Sequence, residues 1–308
     1  DIETVNVGFM AVRVPEGAHT VRFDYMTPGL KYGVLLTLGS IVIFVLYVLI
    51  VRSRKKRYPE RWLVGYPEGD LLAERFEKDA AGEAHTPGPA YKRAALGAQK
   101  ELHWQTFLIA LAVAAVIFLP SVFMEQGYFF YRVDFNYQQI PFYQMCHRMV
   151  KEGNIFWNWN TDLGANFIGS YSFYLLGSPF FWLTIPFPNW MVPHLMAPLL
   201  ILKFACAAFT PGMAQLGALL YAFSGFSIQN ILYNHFHEAI IVFPLLLLAI
   251  EQFITENRRG AVTVAVFLAA VVNYFFFVGM AVFCVIYWFV RMIGGHWDLS
   301  LKRLLAFA

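Results

Sequence analysis

The chain has 308 residues, of which 58% are hydrophobic, 18% aromatic and 14% charged, and its formal net charge at pH 7 is +3. Soluble domains average about 45–50% apolar and about 25% charged residues, so this composition excludes an ordinary water-soluble globular protein. The basic residues form a few short runs, and the sequence therefore predicts no nucleic-acid-binding surface. Lipid must solvate much of the chain, and we expect an all-α polytopic membrane protein.

Residues 1–29 alternate between apolar and polar side chains, with a break at Pro15-Glu16-Gly17-Ala18. Alternation is typical of strands and the break is typical of a turn, so the pattern predicts a small extracytoplasmic β-hairpin. Residues 30–51 form a first membrane span, since no charge lies between Val34 and Val51. Arginines and lysines follow directly, and the positive-inside rule places that end in the cytoplasm and the hairpin outside.

Residues 52–103 are polar and rich in proline and glycine, which predicts a cytoplasmic linker. Residues 104–308 then form a membrane domain, with a second span at 104–123 and a long outside loop at 124–172. The apolar stretch 173–187 is interrupted by prolines, which predicts a re-entrant or interfacial piece. Five further spans are predicted at 190–209, 213–230, 232–254, 261–277 and 279–293.

Asp134, in the outside loop, is the best candidate for chemistry, and Arg132, Asn136 and Gln138 flank it. A carboxylate at the membrane surface could deprotonate an acceptor hydroxyl, or hold a divalent cation such as Mg²⁺ or Mn²⁺. The alternative is that Asp134 caps the helix predicted to begin near Tyr137.

Two further groups are candidates for substrate binding. Trp157, Asn160 and Asn166 place an aromatic ring beside amides, which suits sugar binding, although tryptophan is also typical of simple anchoring at the headgroups. At the outer end of a later span lie Asn234, His237 and Glu238. Asn234 and Glu238 are four residues apart and share a helix face, and charged groups at membrane depth are usually functional. The alternative is a polar helix end.

Several motifs of this chain together resemble the bacterial YfhO family. They are VDFNYQQIPFY at 133–143, GANFIGSY at 164–171, YLLGSPF at 174–180, LLYAFSGF at 219–226, FPLL at 243–246 and NYFF at 273–276. Residues 5–50 resemble the other end of the same family. The chain therefore looks like the tail of one such unit joined through residues 52–103 to the head of a second.

The family is similar to GT-C glycosyltransferases, which implies transfer of a sugar from a polyprenyl-phosphate donor to a cell-envelope polymer such as teichoic acid, at the bacterial cell membrane. In GT-C enzymes an acidic residue in the first outside loop is the catalytic base or a metal ligand, and Asp134 stands at that place.

The alternatives are a transporter or flippase of lipid-linked glycans and a non-catalytic envelope scaffold. Most spans lack a charge in mid-span, which favours the enzyme. The sequence contains no phosphate-binding glycine loop, GxSxG or HExxH motif, which argues against an ATPase or a standard hydrolase.

Overall fold

A computed structural model describes residues 2–5, 9–22, 24–27, 29–57, 89–209, 215–256 and 260–293. Within these residues helices dominate, and β-structure is limited to two ribbons of two strands each. The described part of the chain is thus an all-α polytopic membrane protein, as the composition predicts.

The N-terminal hairpin is present, but its turn was predicted in the wrong place. Strands β1 (Ile2–Val5) and β2 (Phe9–Val12) pair antiparallel, with Ile2 opposite Val12. The chain therefore reverses between Val5 and Phe9, and the described residues 13–22 form no strand. Alternation alone cannot select the partner of a strand, and a short connection is the least costly in loop-closure entropy.

The first two spans are longer helices than predicted. Helix α1 (Leu30–Arg57) continues past the predicted boundary, and helix α2 (Pro89–Met124) begins within the segment assigned to the linker. Lysine, arginine and alanine are good helix formers, so a helix that leaves the membrane at such residues continues into water. The rest of the predicted linker, 58–88, lies outside the described residues.

The outside loop and the re-entrant stretch are built from short elements. In chain order they are a π-helical turn at Phe135–Gln139, α3 (Ile140–Lys151), β3 (Trp157–Asn158), β4 (Ala165–Asn166), α4 (Phe167–Tyr171), a second π-helical turn at Ser172–Leu176 and α5 (Pro179–Trp182). The amphipathic α3 buries Tyr143, Cys146 and Met149 in the main core. No helix within 173–187 is long enough to cross the membrane.

The remaining helices differ from prediction at two points. They are α6 (Val192–Ala208), α7 (Gln215–Ala222), α8 (Gly225–Gln229), α9 (Phe236–Glu256), α10 (Ala261–Val272) and α11 (Tyr274–Ile293). The predicted span 213–230 is wrong as one helix, because Ser224 interrupts it and caps α8 by accepting the Ser227 N–H. The last break lies at Asn273, whose side chain accepts the Phe276 N–H at 3.2 Å.

Within the described residues, five helical segments are long and apolar enough to cross a membrane: Leu30–Ile50, His103–Met124, Asn189–Ala208, Phe236–Ile254 and Tyr274–Arg291. The segments in α6 and α9 are 61% and 56% buried, whereas the other three are 17% buried or less. Helices α6 and α9 therefore form the centre of the protein. The other three expose apolar side chains that lipid can solvate.

The outer end of α2 and the start of α6 lie on the same side of the membrane. The His194 ring Nδ1 is 3.0 Å from the Gly127 carbonyl oxygen, so α2 and α6 run antiparallel with the long loop between them. The positive-inside rule predicts that the basic end of α1 is cytoplasmic, and with the predicted linker on that side the loop is expected to be extracytoplasmic.

This topology predicts a labelling pattern in a background where Cys146, Cys206 and Cys284 are replaced by alanine. A single cysteine at Glu125 or Asn160 should react with a membrane-impermeant maleimide in intact cells, because both positions are exposed in the outside loop. A cysteine at Ser53 should react only after permeabilisation. Labelling of Ser53 in intact cells would invert the orientation.

Candidate functional site

Asp134 lies between two uncommon backbone features. Val133 has a φ of +43°, in the left-handed region that β-branched residues avoid. The five residues after Asp134 form a π-helical turn, which is frequent at functional sites. A residue in such a region costs of the order of 1–3 kcal/mol and persists only where surrounding contacts hold it.

Contacts on both sides of Asp134 hold this conformation. The Asn136 side chain accepts the Tyr131 N–H at 3.0 Å and donates to the Tyr131 carbonyl oxygen at 3.3 Å, which closes the loop. Arg132 donates to Gln229 Oε1 at 3.3 Å and thereby joins the loop to α8. The ring of the buried Phe135 packs at 5.3 Å, edge to face, on that of Phe129. The loop is therefore anchored to the helices beneath it.

The Asp134 carboxylate does not cap the helix. Its side chain is half-buried and makes no capping hydrogen bond to the π-helical turn that it precedes. Within the described residues, Asp134 therefore does not act as the helix cap that the sequence offered as an alternative. Gln138, also half-buried, lies in the same turn.

A second site lies beneath the first and is built around a buried ion pair. Lys203 Nζ donates to Glu238 Oε1 at 2.7 Å, and the two side chains are 0% and 2% exposed. Ser178 Oγ donates to the same carboxylate oxygen at 2.5 Å. Lys203 also donates to the backbone and side-chain oxygens of Asn234, at 2.9 and 3.0 Å. The pair therefore joins α6, the start of α9 and the re-entrant stretch.

The position of Lys203 explains why it needs these partners. It lies within the segment Asn189–Ala208, which is long and apolar enough to cross a membrane, and its side chain is fully buried. A charge at that depth is stable only when paired and hydrogen-bonded. Glu238 supplies the opposite charge, while Ser178 and Asn234 supply the remaining hydrogen bonds.

Polar atoms around the ion pair retain hydrogen-bonding capacity. Within the described residues no partner is found for the buried atoms Glu238 Oε2, His235 Nε2, His237 Nε2 and Gln139 Nε2. Tyr143 is fully buried beside them, and this burial, followed by the charge of Glu238, raises its pKa well above the ordinary value. The phenol therefore stays protonated and can donate a hydrogen bond.

The two sites are joined by a contact between side chains. His235 Nδ1 lies 3.2 Å from Gln139 Oε1, at the end of the π-helical turn that begins after Asp134. The His237 ring packs at 5.0 Å on Phe204 of α6. The structure thus brings the predicted groups around Asp134 and Glu238 onto neighbouring elements.

The third predicted group is joined to the N-terminal segment. Trp157 pairs with Asn166 in the ribbon of β3 and β4, and its ring lies 4.8 Å from that of Tyr25. The Asn166 side chain caps α4 by accepting the Gly169 N–H at 3.2 Å and also accepts a bond from Thr27 Oγ1 at 3.3 Å. Asn160 is exposed at the tip of the ribbon. Asn166 thus helps to hold the ribbon and the N-terminal segment together, while Trp157 and Asn160 lie near open surface.

Sequence analysis missed Lys203, Ser178 and Tyr143. An isolated lysine within an apolar span was an available signal, because such a charge requires a partner of opposite sign. Ser178 and Tyr143 carry no comparable signal, since their role depends on how the re-entrant stretch folds against α9.

A divalent cation would have few protein ligands at Asp134. Among the described residues, no group of three or more His, Cys, Asp and Glu side chains is arranged to hold a metal ion. Mg²⁺ is commonly bound by one or two carboxylates together with substrate phosphate and water. Asp134 fits a cation of that kind only in combination with a phosphate group.

Comparison with known proteins gives a family match. Residues 106–308 match the family described as bacterial membrane protein YfhO. The match includes both sites and begins just inside the membrane-spanning part of α2. No curated protein and no solved structure matches the chain.

The buried ion pair predicts non-additive effects on stability. Lys203→Met leaves the Glu238 carboxylate buried without its cation and should lower stability by about 3–5 kcal/mol. The double variant Lys203→Met, Glu238→Leu removes both charges and should recover most of the loss. The measurement is thermal unfolding of the purified protein in detergent.

Arg22→Met provides the control for this experiment, because it removes a cation from a solvent-exposed pair with Asp24. Its unfolding temperature should match that of the native protein. An unchanged temperature for Lys203→Met, or a double variant less stable than the single one, would contradict a stabilising role for the pair.

Proposed function

This chain belongs to the YfhO family of bacterial membrane proteins, and on that premise we propose that it is a GT-C-type glycosyltransferase of the cell membrane. The donor is a sugar carried on polyprenyl phosphate, and the acceptor is a cell-envelope polymer such as teichoic acid. Both would meet in the outside loop, where a lipid-linked headgroup and a polymer in the envelope are within reach.

The conformation around Asp134 is the observation that supports this proposal most. The residue lies in the outside loop beyond the end of α2, between strained Val133 and a π-helical turn, and its carboxylate is not used as a helix cap. Strain and π-helical geometry are common at functional sites. A half-buried carboxylate at the membrane surface is well placed to act as a general base.

The proposed reaction proceeds by displacement at the anomeric carbon. The acceptor hydroxyl oxygen forms a bond to that carbon as the bond from the carbon to the phosphate oxygen breaks. Polyprenyl phosphate leaves with the bonding electron pair, and the hydroxyl proton passes to the Asp134 carboxylate. In the alternative role of Asp134, as a metal ligand, it would hold a cation such as Mg²⁺ or Mn²⁺ together with phosphate oxygens, and the cation would neutralise charge on the leaving group.

The residues around Asp134 supply the other functions that this reaction needs. Arg132 is exposed, and its guanidinium suits a phosphate oxygen. Asn136 holds the loop through Tyr131 and is a positioning residue. Gln138, Trp157 and Asn160 offer amide and aromatic contacts to sugar. Asn166 keeps the ribbon that carries Trp157 in place.

We propose that the polar group at the start of α9 forms the floor of a donor-phosphate or acceptor site next to Asp134. Glu238 Oε2 and His237 Nε2 are the atoms available for hydrogen bonds to acceptor hydroxyls. Asn234 accepts two hydrogen bonds from Lys203 and so helps to hold its ammonium group beside Glu238. His235 links the floor to the turn after Asp134 through Gln139.

A transporter or flippase of lipid-linked glycans is the second candidate. The Lys203–Glu238 pair supports it, because transporters place ionisable residues inside the membrane along the path of the substrate. This pair satisfies its charges internally and connects three elements, which suits a structural role better. The two proposals differ in whether Asp134 is required for a covalent product.

The first test is the substitution Asp134→Asn, which preserves volume and removes the base. Glycosyl transfer should fall by about 10²–10⁴-fold, the usual contribution of a general base. The assay uses membranes that contain the full chain, envelope polymer and radiolabelled glucosyl, galactosyl or N-acetylglucosaminyl polyprenyl phosphate. Protein level and membrane insertion should remain unchanged, since the residue lies outside the spans.

Asp162→Asn is the matched control. Asp162 is an exposed carboxylate of the same loop with a φ of +47°, a conformation that asparagine also adopts readily. This variant should retain full transfer. Full activity in Asp134→Asn would remove the base from the mechanism, and sugar-lipid translocation without transfer in the native protein would favour the flippase.

A further inference from the structure

An aromatic cavity lies between the N-terminal segment and the outside loop. Its volume is about 340 Å³, and its walls include Asp24, Tyr25, Asn154, Trp157 and Trp159. Residues from two parts of the chain that are far apart in sequence therefore build one cavity. Volumes of about 300–1,000 Å³ are typical of small-molecule sites.

The aromatic walls of this cavity are held in place. The Trp157 ring lies 4.8 Å from Tyr25 and 5.6 Å from Trp159, in tilted and edge-to-face arrangements. Gly164, with a φ of +121°, allows this packing, since a Cβ there would lie 2.9 Å from the Trp157 ring and 3.0 Å from that of Trp159. The bond from Thr27 to Asn166 fixes the N-terminal segment against the ribbon.

The cavity combines aromatic faces with polar groups at its rim. Trp159 forms part of the cavity wall and is 59% exposed. Arg22 binds Oδ1 of Asp24 at 2.9 Å, and Oδ2 can accept a hydrogen bond. The exposed Asn154 amide can both donate and accept.

This chemistry identifies the class of ligand. The C–H face of a pyranose ring packs on an aromatic face, and its hydroxyls bond to carboxylates and amides at the edge. Among the described residues that line the cavity, Asp24 is the charged one, and its carboxylate is paired with Arg22. The lining is therefore aromatic and close to neutral in charge, which favours a neutral sugar over an anionic phosphate.

We propose that this cavity binds a neutral sugar unit of the envelope acceptor, and that the N-terminal segment is part of the binding site. The assignment of the sugar to the acceptor rests on the proposed function, whereas sugar binding itself does not. Asp24, Tyr25 and Trp159 thereby gain a role that is separate from the chemistry at Asp134.

The test is saturation-transfer NMR on the full chain in nanodiscs, with cellotriose and chitotriose as probes. The native protein should bind at least one of them. Tyr25→Ala and Trp159→Ala should each weaken binding about tenfold, which corresponds to the loss of one aromatic contact. Gly164→Ala should also weaken binding, because its methyl group collides with both indole rings.

Trp190→Ala is the control, since Trp190 is similarly exposed, at 66%, and lies outside the cavity. It should bind the probes as the native protein does. Equal binding by native, Tyr25→Ala and Trp159→Ala proteins would overturn the proposal, as would tighter competition by glycerol-phosphate oligomers. Absence of binding together with transfer that depends on Asp134 would reject the cavity alone and leave the proposed function standing.

Discussion

The ion pair between Lys203 and Glu238 is the interaction on which this structure depends. Two charges buried between membrane helices are stable only when they are paired, and this pairing holds α6 against the start of α9. Ser178 connects the re-entrant stretch to this pair through its hydrogen bond to Glu238, and Asn234 connects the turn before α9 through its hydrogen bond from Lys203. The two most buried spans and the segment that carries the outside loop are therefore set relative to one another by one group of polar contacts.

The outside loop builds on that framework. Contacts of Gln139 with His235 and of Arg132 with Gln229 join it to the elements around α9, and they allow a strained conformation to persist beside Asp134. The N-terminal segment then packs on the far part of the same loop through Tyr25 and Thr27. We thus propose catalysis at Asp134 and sugar binding near Trp157, in two parts of the same outside loop.

Sequence patterns predicted the class of protein and its first two spans because hydrophobic length and flanking charge act locally. They failed where tertiary contacts or helix caps determine which residues form an element and where it ends. The stretch 213–230 is largely apolar, yet the Ser224 cap divides it. The two N-terminal strands pair through a shorter connection than the one that alternation suggested. The sequence singled out Asp134 and Glu238 as candidates. It could not choose between base and cap for Asp134, nor reveal that Glu238 pairs with Lys203, because those answers lie in side-chain geometry.

The most direct test of the central claim is photo-crosslinking with a polyprenyl-phosphate sugar that carries a diazirine on the sugar ring, followed by mass spectrometry of the labelled peptides. If Asp134 is the base, the label should fall mainly on residues 131–139, and an excess of unlabelled donor should prevent it. Label confined to the cytoplasmic ends of α6 and α9, with none in the outside loop, would contradict a donor site at Asp134.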